Sequence, residues 1–588
     1  MNQAAALINV LAAKGVERAF LVTGGGAMFL NEALQSSSIE CIATHHEQAA
    51  SMAAEAYFRV SGKVAILCST SGPGALNCLN GVFGAYTDSI PMIVISGQAK
   101  TTTLRISDDE KLLRQIGDQE ADIPNIVRPI VKAVYQIGVD CDIHHVIDEA
   151  YFMATSGRPG PVWIDFPIDV QSKHYVDKND SSLRTKTEDV EQNYSEIFMK
   201  IYSAKRPTFL VGTGMSSDIG RQLIERATSK TSIPFQPAWT AIDLIPVTNA
   251  NFAGRPSTVG DRAGGLIQEA ADLVIALGSS LSLRQVGFNT KTILGNKVIQ
   301  VDRDSNYHFR SDIEGLEIVT TNPVQFLSDF IEYYLMLNTP QSHLKWHARC
   351  KEIVSQFSNE PAWTEKTLDG INPYSVMMNL PEMVPSNSVF VCGDASASVM
   401  FFQAAPLLPN QRTFTNAGAA SMGYELPAAI GAAVGTDRPI ICIAGDGSFQ
   451  QNMQELSLLN FHNLNIRIIY LDNFGYLSIR TSQLKHFKDK FWSDPDSGLP
   501  FPNMQNIAEA NGLEYIKVTS LEDLKLALSR KMYNFLHIAI SPTMMFQPKT
   551  GTKLDSEGVM QSSTIADLEP FLPRRTLDRA LEFLTSDY

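Results

Sequence analysis

The chain has 588 residues, of which 44% are hydrophobic and 19% are charged, and its net charge is −14. At roughly 100–200 residues per domain, this length predicts three or four domains. The negative charge disfavours a nucleic-acid-binding surface, because no block of Lys and Arg offsets it. No apolar stretch reaches the roughly 20 residues of a membrane-spanning helix. We therefore expect neither nucleic acid nor a membrane as a partner.

The first residues and the cysteines bear on the cellular compartment. Residues 1–15 lack the basic start and the continuous apolar centre of a signal peptide, and they predict an amphipathic helix. The seven cysteines are odd in number, scattered along the chain and mostly set in apolar runs. This usage is typical of reduced thiols and not of a disulfide framework. We therefore expect a cytoplasmic protein.

Short apolar strand patterns alternate with helical patterns over residues 1–170. The predicted strands span 18–22, 64–67, 92–96 and 162–165. This alternation indicates βαβ units and a parallel sheet that is covered by helices on both faces. A polar, charged stretch follows, and we place a linker at residues 171–200.

Two further α/β units are predicted, at residues 201–336 and 371–545, with a linker at residues 337–370 between them. Their predicted strands span 208–214, 273–278, 298–302, 388–392, 440–444, 466–471 and 537–541. The chain thus predicts an α/β fold of three consecutive doubly wound parallel-sheet domains. A C-terminal tail at residues 546–588 is a candidate lid over a cleft.

Two histidines of the second linker lie four residues apart on a predicted helix. His343 and His347 have this spacing, but no third ligand follows at a distance typical of zinc sites. We therefore expect both side chains to be solvated and to have no role in metal binding.

The strongest motif lies in the third unit, where Gly-Asp-Gly at 445–447 ends one apolar run and Asn473 ends the next. The spacing fits one βαβ crossover. Two adjacent parallel strands would place Asp446 and Asn473 side by side at their carboxyl ends. With a backbone carbonyl near Gly475, these oxygens suit the octahedral coordination that Mg²⁺ prefers. The sequence therefore predicts a magnesium site at this edge.

Two residues of the same turn suit a diphosphate group. Gly447 would let the backbone approach it, and Ser448 would donate a hydrogen bond to it at the start of a helix. The alternative is that Gly-Asp-Gly is only a tight strand-to-helix turn. The presence of Asn473 at crossover spacing favours the ligand site.

Five further strings occur in the same order as in one enzyme family. They are GGA at 25–27, HEQ at 46–48, TSGPGA at 70–75, AYTDSIP at 85–91 and SGRPGPV at 156–162. With Asp446 and Asn473, they resemble the thiamine-diphosphate-dependent enzymes, specifically the acetolactate synthase (acetohydroxyacid synthase large subunit) branch. The resemblance spans nearly the whole chain. It implies pyrimidine-binding, central and diphosphate-binding domains in that order.

The resemblance assigns Glu47 as the acid that activates the cofactor. Thiamine must lose a proton from carbon 2 of its thiazolium ring, and a carboxylic acid at the pyrimidine nitrogen N1′ turns the neighbouring imino group into the base. A bulky aliphatic side chain, here Met422, presses the two rings together. The other cofactor contacts that the resemblance implies are Gly25, Gly26, Thr70, Gln119, Ser396, Ser398 and Ala420.

The resemblance also implies a homo-oligomer. Glu47 would come from one subunit, and Met422 and Asp446 from another, so that the active sites form at a dimer interface. A monomer would then be inactive. Whether two dimers pair into a tetramer stays open.

In the central domain, the chain is similar to the flavin-binding acetolactate synthases. In these enzymes FAD is usually structural and carries no electrons in the overall reaction. The residues that would hold FAD are Arg158, Gly212, Gly214, Arg284 and Asp302. The alternative is an ordinary βαβ unit with a surface arginine, because glycine-ended strands are common in such folds.

On the acceptor side, the chain departs from the family. Ser482 stands where the amino-acid-biosynthetic members have a tryptophan that helps to select 2-oxobutyrate, and Asp118 stands where they have an apolar residue. Loss of an indole leaves space and a hydroxyl group, which suits a larger or more polar acceptor. We expect Asp118, Ile479 and Ser482 to form a remodelled acceptor pocket.

The sequence thus predicts a carboligase. It would decarboxylate a small 2-oxo acid, pyruvate above all, and transfer the acyl carbanion to a second 2-oxo acid, a ketone or a keto-sugar. Two alternatives stay open, a decarboxylase that releases an aldehyde and a catalytically silent cofactor-binding subunit. The silent subunit is disfavoured because a scaffold has no need for an activating acid such as Glu47.

Overall fold

The computed structural model describes the chain except for residues 105–113, 177–192, 289–296, 305, 307–309, 311, 338–342, 531–533, 555–557, 559 and 587–588. Three parallel sheets follow one another along the chain, and helices pack on them. This confirms the predicted fold class of three consecutive α/β domains. Among the described residues, no helix is both long and apolar enough to cross a membrane.

The first domain is built on a six-stranded parallel sheet. Its strands are β1 (Arg18–Leu21), β2 (Glu40–Ala43), β3 (Ile66–Ser69), β4 (Met92–Gln98), β5 (Ala133–Gln136) and β6 (Pro161–Pro167). Its helices are α1 (Gln3–Ala13), α2 (Met28–Gln35), α3 (Glu47–Ser61), α4 (Pro73–Asn77), α5 (Leu79–Thr87), α6 (Ile123–Val127), α7 (Ile143–Thr155) and α8 (Ile168–Gln171). The strand order is β2-β1-β3-β4-β6-β5. Every residue of β3, β4 and β6 is buried, which explains why these strands are mostly apolar.

The central domain contains a five-stranded parallel sheet. Its strands are β7 (Pro207–Val211), β8 (Phe235–Pro237), β9 (Leu273–Leu277), β10 (Val298–Asp302) and β11 (Glu317–Thr320), in the order β11-β10-β9-β7-β8. Its helices are α9 (Ser195–Ser203), α10 (Asp218–Lys230), α11 (Arg262–Ala270), α12 (Leu283–Val286), α13 (Pro323–Met336) and α14 (Leu344–Phe357).

The third domain repeats the strand order of the first. Its strands are β12 (Val389–Cys392), β13 (Arg412–Phe414), β14 (Ile440–Gly445), β15 (Ile466–Asp472), β16 (Glu514–Val518) and β17 (Asn534–Ala539), in the order β13-β12-β14-β15-β17-β16. Its helices are α15 (Pro373–Met383), α16 (Ser396–Ala404), α17 (Glu425–Gly435), α18 (Asp446–Phe449), α19 (Ser457–Phe461), α20 (Leu477–Phe487), α21 (Met504–Ala510) and α22 (Leu521–Ser529). Two domains of unlike sequence therefore share one topology.

The central domain is larger than predicted at its beginning. Helix α9 contributes Phe198 and Ile201 to the central core, so the end of the linker predicted at 171–200 belongs to this domain. Residues 177–192 of that linker lie outside the described part of the chain. The physical reason is the amphipathic pattern of α9, whose apolar face needs a core to cover it.

The domain is also larger than predicted at its end. Helix α14 lies within the linker predicted at 337–370, and it buries Trp346 in the central core. His343 is buried as well, and its Nε2 lies 3.0 Å from the carbonyl oxygen of Ala204. The prediction that His343 is solvated is therefore wrong. Burial lowers the pKa of this imidazole, which favours its neutral form.

The C-terminal tail returns to the central domain. It forms an antiparallel hairpin of β18 (Thr552–Leu554) and β19 (Met560–Ser562) and ends in α23 (Arg574–Thr585). Helix α23 packs against α11 and α14 and buries Leu577, Ala580 and Leu584 in the central core. Arg262 donates to the carbonyl oxygens of Leu568 and Pro570 at 2.8 and 2.6 Å. This helix therefore supports the central domain and is not the predicted lid.

The first and third domains share one apolar core and pack through two parallel helices, α3 and α17. The helices approach so closely that a Cβ on Gly431 would lie 2.0 Å from the carbonyl oxygen of Ala53. One turn further along, Gly435 faces Tyr57. Because the two helices run in the same direction, Glu47 and Glu425 begin them at the same end of the interface.

Candidate active site

Asp446 lies where strand β14 passes into helix α18, and its carboxylate receives three backbone hydrogen bonds. The N–H of Gly447 donates to Oδ1 at 2.8 Å, and those of Asn473 and Gly475 donate to Oδ2 at 3.1 and 2.7 Å. Strand β15, which ends just before Asn473, is the neighbour of β14 in the sheet. The structure thus brings Asp446 and Asn473 together, and backbone donors fix the carboxylate.

The side chain of Asn473 leaves a buried oxygen without a hydrogen bond. The residue is 6% exposed, and its Oδ1 has no partner in the described part of the chain. An unpaired buried oxygen is costly, and a ligand that it can coordinate removes this cost. The amide oxygen, the Asp446 carboxylate and the Gly475 carbonyl are hard oxygen donors, which suit Mg²⁺. The residues present therefore fit the predicted magnesium site.

The electrostatic setting of Asp446 favours a bound cation. Burial raises the pKa of its carboxyl group, and the Asp472 carboxylate nearby raises it further. The pKa of Asp472 is lowered, because His537 Nε2 lies 2.9 Å from its Oδ2. A positive ion between these oxygens would favour the ionised form of Asp446. Asp472 and His537 also line a cavity of about 270 Å³ beside this loop.

The two glycines of this turn have different surroundings. A Cβ on Gly447 would lie 2.2 Å from the Tyr476 ring, so packing against Tyr476 explains this glycine. A Cβ on Gly445 would meet no atom within 4 Å. In the structure Gly445, and not the predicted Gly447, therefore has open space beside its backbone for a ligand to approach.

The hydroxyl group of Ser448 has protein partners. It donates to Glu425 Oε2 at 2.8 Å and accepts from the N–H of Gly423 at 2.8 Å. Instead of facing a diphosphate, as predicted, this hydroxyl joins helix α18 to the start of α17. Because Gly423 follows Met422, the predicted wedge residue is tied to the same network.

Glu47 begins helix α3 at the carboxyl edge of the first sheet. It is 8% exposed, and Asn77 Nδ2 donates to its Oε2 at 3.0 Å. A Cβ on Gly74 would lie 3.1 Å from Glu47 Oε1, so a small residue is needed there. Thr70 Oγ1 accepts from the N–H of Gly26 at 3.0 Å. The structure therefore places Glu47, Thr70 and Gly26 around the same edge of the sheet.

Three further predicted cofactor contacts lie in a loop and in the first turn of a helix of the third domain. Ala420 has a φ of 52°, and the next residue, Ser421, donates to Asn80 Oδ1 of α5 at 2.5 Å. Ser396 and Ser398 are buried in the first turn of α16, and the hydroxyl of Ser398 donates to the carbonyl oxygen of Ala395 at 3.1 Å. The hydroxyl of Ser398 is thus engaged within its own turn.

Two predicted contacts of the first domain differ in their surroundings. Gln119 is exposed, has a φ of 56° and packs its backbone on Gly72, where a Cβ would lie 2.2 Å from the Gln119 carbonyl oxygen. Gly25 has no atom within 4 Å of an added Cβ, so it has room for a ligand.

The residues predicted to hold FAD lie around the carboxyl edge of the central sheet. Gly212 and Gly214 pack directly on Gly278, where added Cβ atoms would lie 2.2 and 2.8 Å from its backbone. Arg158 reaches this edge from the first domain, with its Nη1 3.2 Å from Asp304 Oδ2. Burial raises the pKa of Asp302, which Arg158 opposes. The guanidinium carbon of Arg284 lies 4.7 Å from the centre of the Trp239 ring.

The predicted acceptor residues lie on both the first and third domains. Ile479 and Ser482 are exposed on α20, the helix that follows the loop of Asn473 and Gly475. The Ser482 hydroxyl donates to the carbonyl oxygen of Ser478 at 2.9 Å. Asp118 is exposed in the first domain. Within the described chain, no hydrogen bond or ion pair joins Asp118 to Ser482.

Three family models match the chain in the order of its domains. They describe the N-terminal TPP binding domain (residues 1–122), the central domain (residues 194–321) and the C-terminal TPP binding domain (residues 394–538) of a thiamine pyrophosphate enzyme. The chain belongs to the thiamine pyrophosphate enzymes. Thiamine pyrophosphate is another name for thiamine diphosphate, so the predicted cofactor and family are confirmed. The central model begins at residue 194, where α9 enters the core.

Similar enzymes of this family are acetolactate synthases. The Lactococcus lactis subsp. lactis (strain IL1403) large subunit is 30% identical over 542 residues, covering 88% of this chain and 89% of the relative. The Escherichia coli (strain K12) isozyme 1 large subunit is 27% identical over 527 residues, covering 89% and 90%. The chloroplastic Arabidopsis thaliana enzyme is 28% identical over 539 residues, covering 89% and 78%. The chain is therefore an acetolactate synthase-like, thiamine-diphosphate-dependent carboligase.

Proposed function

We propose that this enzyme decarboxylates a small 2-oxo acid, with pyruvate as the simplest candidate, and joins the acyl unit to a carbonyl acceptor other than 2-oxobutyrate. The observation that carries the cofactor chemistry is the unpaired, buried Oδ1 of Asn473 beside the Asp446 carboxylate. In this proposal Asp446, Asn473 and the Gly475 carbonyl hold Mg²⁺, which in turn holds the diphosphate of the cofactor.

Glu47 has the surroundings that an activating acid needs. When bound, thiamine diphosphate supplies a nucleophilic carbon and accepts the electron pair that remains after CO₂ leaves the 2-oxo acid. Asn77 donates to Glu47 Oε2 and so orients the carboxyl group, whose Oε1 can hold a proton for a pyrimidine nitrogen. Its position in the first turn of α3 places it beside Gly74, where there is no larger side chain.

The choice of acceptor is proposed from α20. Ile479 is 51% exposed, and Ser482 bears only a small hydroxymethyl group on the next turn. A serine at position 482, in place of a bulky aromatic side chain, leaves room for a larger or more polar carbonyl compound. A ketone or a keto-sugar therefore fits better than 2-oxobutyrate, and Asp118 would contact it from the first domain.

We also propose a homodimer and a structural FAD. The resemblance to acetolactate synthases supports the homodimer, because it implies active sites that two subunits share. The FAD proposal is supported by the close backbone packing of Gly212 and Gly214 on Gly278, which forms a glycine-lined edge that suits a dinucleotide. Visible flavin absorbance in the purified protein tests the FAD proposal. A colourless protein that gains no flavin on incubation with FAD contradicts it.

The test of the function is product analysis. We would incubate the enzyme with pyruvate, thiamine diphosphate, Mg²⁺ and a panel of 2-oxo acids, ketones and keto-sugars, and identify the products by mass spectrometry. A product in which an acetyl unit is joined to a ketone or a keto-sugar is expected. Free aldehyde without a new carbon–carbon bond would indicate a decarboxylase, and the absence of any product from all 2-oxo acids would indicate a silent subunit.

Glu47→Gln is the matched variant, because glutamine keeps the size of the side chain but cannot supply the acid. We expect turnover to fall by roughly 10²–10⁴-fold, the usual contribution of a general acid or base. Glu40→Gln, at an exposed position of the same domain, is the control and should retain wild-type turnover. Full turnover of Glu47→Gln would overturn the assignment of Glu47.

A further inference from the structure

Arg480 lies on α20 directly behind the loop that carries Asn473 and Gly475. The residue is 8% exposed, and its guanidinium group donates to three backbone carbonyl oxygens. Nη1 donates to Phe474 at 3.0 Å, and Nη2 donates to Asn473 and to Pro542, both at 3.0 Å. One buried cation therefore holds two consecutive peptide groups of the metal loop.

The loop needs such support because its backbone is unusual. Phe474 has a φ of 61° and Gly475 a φ of 127°, so two successive residues adopt conformations with positive φ. A non-glycine residue enters this region at an energetic cost. The Phe474 side chain is 52% exposed, so its burial does not repay that cost.

Asp446 and Arg480 bind different polar groups of the loop backbone. Asp446 accepts the N–H groups of Asn473 and Gly475, whereas Arg480 donates to the carbonyl groups of Asn473 and Phe474. With these backbone groups engaged, Asn473 Oδ1 is left as a buried oxygen without a partner among the described residues. The loop is thereby fixed with a ligand atom available.

A second loop orients Arg480 itself. Asp494 Oδ2 lies 3.5 Å from Nη1 of Arg480, and Lys490 Nζ lies 2.7 Å from the same carboxylate. The N–H of Ser497 donates to Asp494 Oδ1 at 2.9 Å, which fixes the carboxylate within its own turn. The carboxylate of Asp494 therefore adds an ionic contact that favours this position of the guanidinium group.

We infer that Arg480 is a positioning residue for the metal loop and sets the affinity of the enzyme for its divalent cation. This inference rests on the proposed Mg²⁺ site. A planar guanidinium group can donate to several carbonyl oxygens at once, whereas an ammonium group is a compact point charge without that fork geometry. Lysine should therefore keep the charge near Asp494 but release part of the loop.

The experiment compares Arg480→Lys with Arg255→Lys. Arg255 is the matched control, since it is 4% exposed and donates to the carbonyl oxygens of Phe402, Gln403 and Ala405, away from the metal loop. We would measure Mg²⁺-dependent binding of thiamine diphosphate by calorimetry, the binding of Mn²⁺ by electron paramagnetic resonance, and the melting temperature of each cofactor-free protein.

We expect Arg480→Lys to raise the Mg²⁺ concentration for half-saturation by roughly 10–100-fold, as changes to groups that orient metal ligands do. Arg255→Lys should leave this concentration unchanged even if it lowers the melting temperature. Asp494→Asn should shift it in the same direction by a smaller factor, which keeps the test valid if Arg480→Lys folds poorly.

Three results would overturn the inference, and they are distinguishable. Wild-type affinity for Mg²⁺ in both Arg480→Lys and Asp494→Asn would exclude a positioning role while leaving the proposed metal site intact. Equal losses of affinity in Arg480→Lys and Arg255→Lys would indicate general destabilisation. Cofactor binding by the wild-type enzyme without any divalent cation would contradict the proposed metal site itself.

Discussion

At the residue scale, the amide oxygen of Asn473 yields the sharpest prediction. Asn473→Leu keeps a similar volume and removes an oxygen that has no partner among the described residues. The melting temperature of the cofactor-free protein should change little. The affinity for Mg²⁺ should fall by on the order of 100-fold or more, because a ligand counts for at least as much as the groups that orient it. Calorimetric titration measures this loss.

Asn534→Leu is the control for that variant. Asn534 also has a buried Oδ1 without a partner in the described chain. It lies at the amino end of β17, whereas Asn473 follows the carboxyl end of β15, so the two residues are at opposite ends of the parallel strands. The Asn534→Leu variant should therefore bind Mg²⁺ with nearly the affinity of the wild type. If Asn473→Leu binds Mg²⁺ as the wild type does, the amide oxygen is not a ligand.

A second prediction at this scale concerns pH and stability. Glu425 is fully buried, and burial raises the pKa of its carboxyl group from 4.5 to about 7. The pKa of Glu425 is higher in the folded protein than in the unfolded chain, so ionisation of this carboxyl group lowers the free energy of unfolding. This destabilisation is absent below about pH 4.5 and grows as the pH rises to about 7. The total is about 3 kcal/mol, which then persists at higher pH.

Glu425→Gln removes this titration while keeping an oxygen for Ser448. The variant should therefore gain stability relative to the wild type between about pH 5 and about pH 8. Melting temperatures of both cofactor-free proteins at the two pH values give this change, because other titrating groups act equally in both. A difference between the proteins that is independent of pH would contradict the raised pKa.

Residues at the site were predictable to different degrees. Asp446 and Asn473 each directly follow a strand that the sequence reveals, so their positions follow from local patterns, whereas Glu47 was assigned from the resemblance to the family. The partner of Ser448 and the role of Arg480 did not follow. Both depend on partners that only folding brings near. Arg480 binds backbone carbonyl oxygens, which every residue has, so the sequence does not indicate which of them it will bind.

At the element scale, the sequence revealed the inner strands and missed the edges. The six strands that were not predicted are β2, β5, β8, β11, β13 and β16, which are the outermost strands of the three sheets. Edge strands have a neighbour on one side only and are short here, with three to five residues. Such strands lack the continuous apolar run by which a buried parallel strand is recognised.

The helix α23 gives a prediction about stability. Leu584 is fully buried where α23 packs on the central core, so Leu584→Ala should destabilise that domain by roughly 2–5 kcal/mol. The melting temperature measures this change. Leu526→Ala, at a position that is 63% exposed on α22, is the control and should have little effect. If α23 were a lid, Leu584→Ala would instead change the KM for substrate without lowering the melting temperature.

At the scale of the whole molecule, several contacts join the first and third domains. The N–H of His45 donates to the Glu455 carboxylate at 3.1 Å, and the N–H of Gly418 donates to Asp88 at 3.0 Å. With the packing of α3 on α17, these contacts hold the two cofactor-binding domains of one chain together. They fix the orientation of the two domains relative to each other within one chain.

The proposed dimer predicts complementation between inactive variants. If Glu47 and Asn473 of one site come from different subunits, a heterodimer of Glu47→Gln and Asn473→Leu has one intact site. Random reassembly of equal amounts should restore about a quarter of wild-type activity, because half of the dimers are mixed and each has one site of two. Activity measured after mixed refolding or coexpression tests this expectation.

Each variant reassembled alone is the control and should stay inactive. A mixed preparation that stays inactive, although size-exclusion chromatography shows dimers, would mean that each site is completed within one chain. That result would leave the assignments of Glu47 and Asn473 unchanged and would correct only the position of the subunit boundary.

By itself, the sequence determined the order of three parallel-sheet domains and the polar residues at the ends of buried strands, and its resemblance to a known family implied the thiamine diphosphate chemistry. The first two properties follow from local patterns, since a buried strand and the polar residue that ends it are adjacent in the chain. Only the tertiary structure decided where the tail packs, which partner the Ser448 hydroxyl takes and how Arg480 holds the metal loop. These contacts join residues that are distant in sequence, and many of them end on backbone atoms, which are the same in every residue.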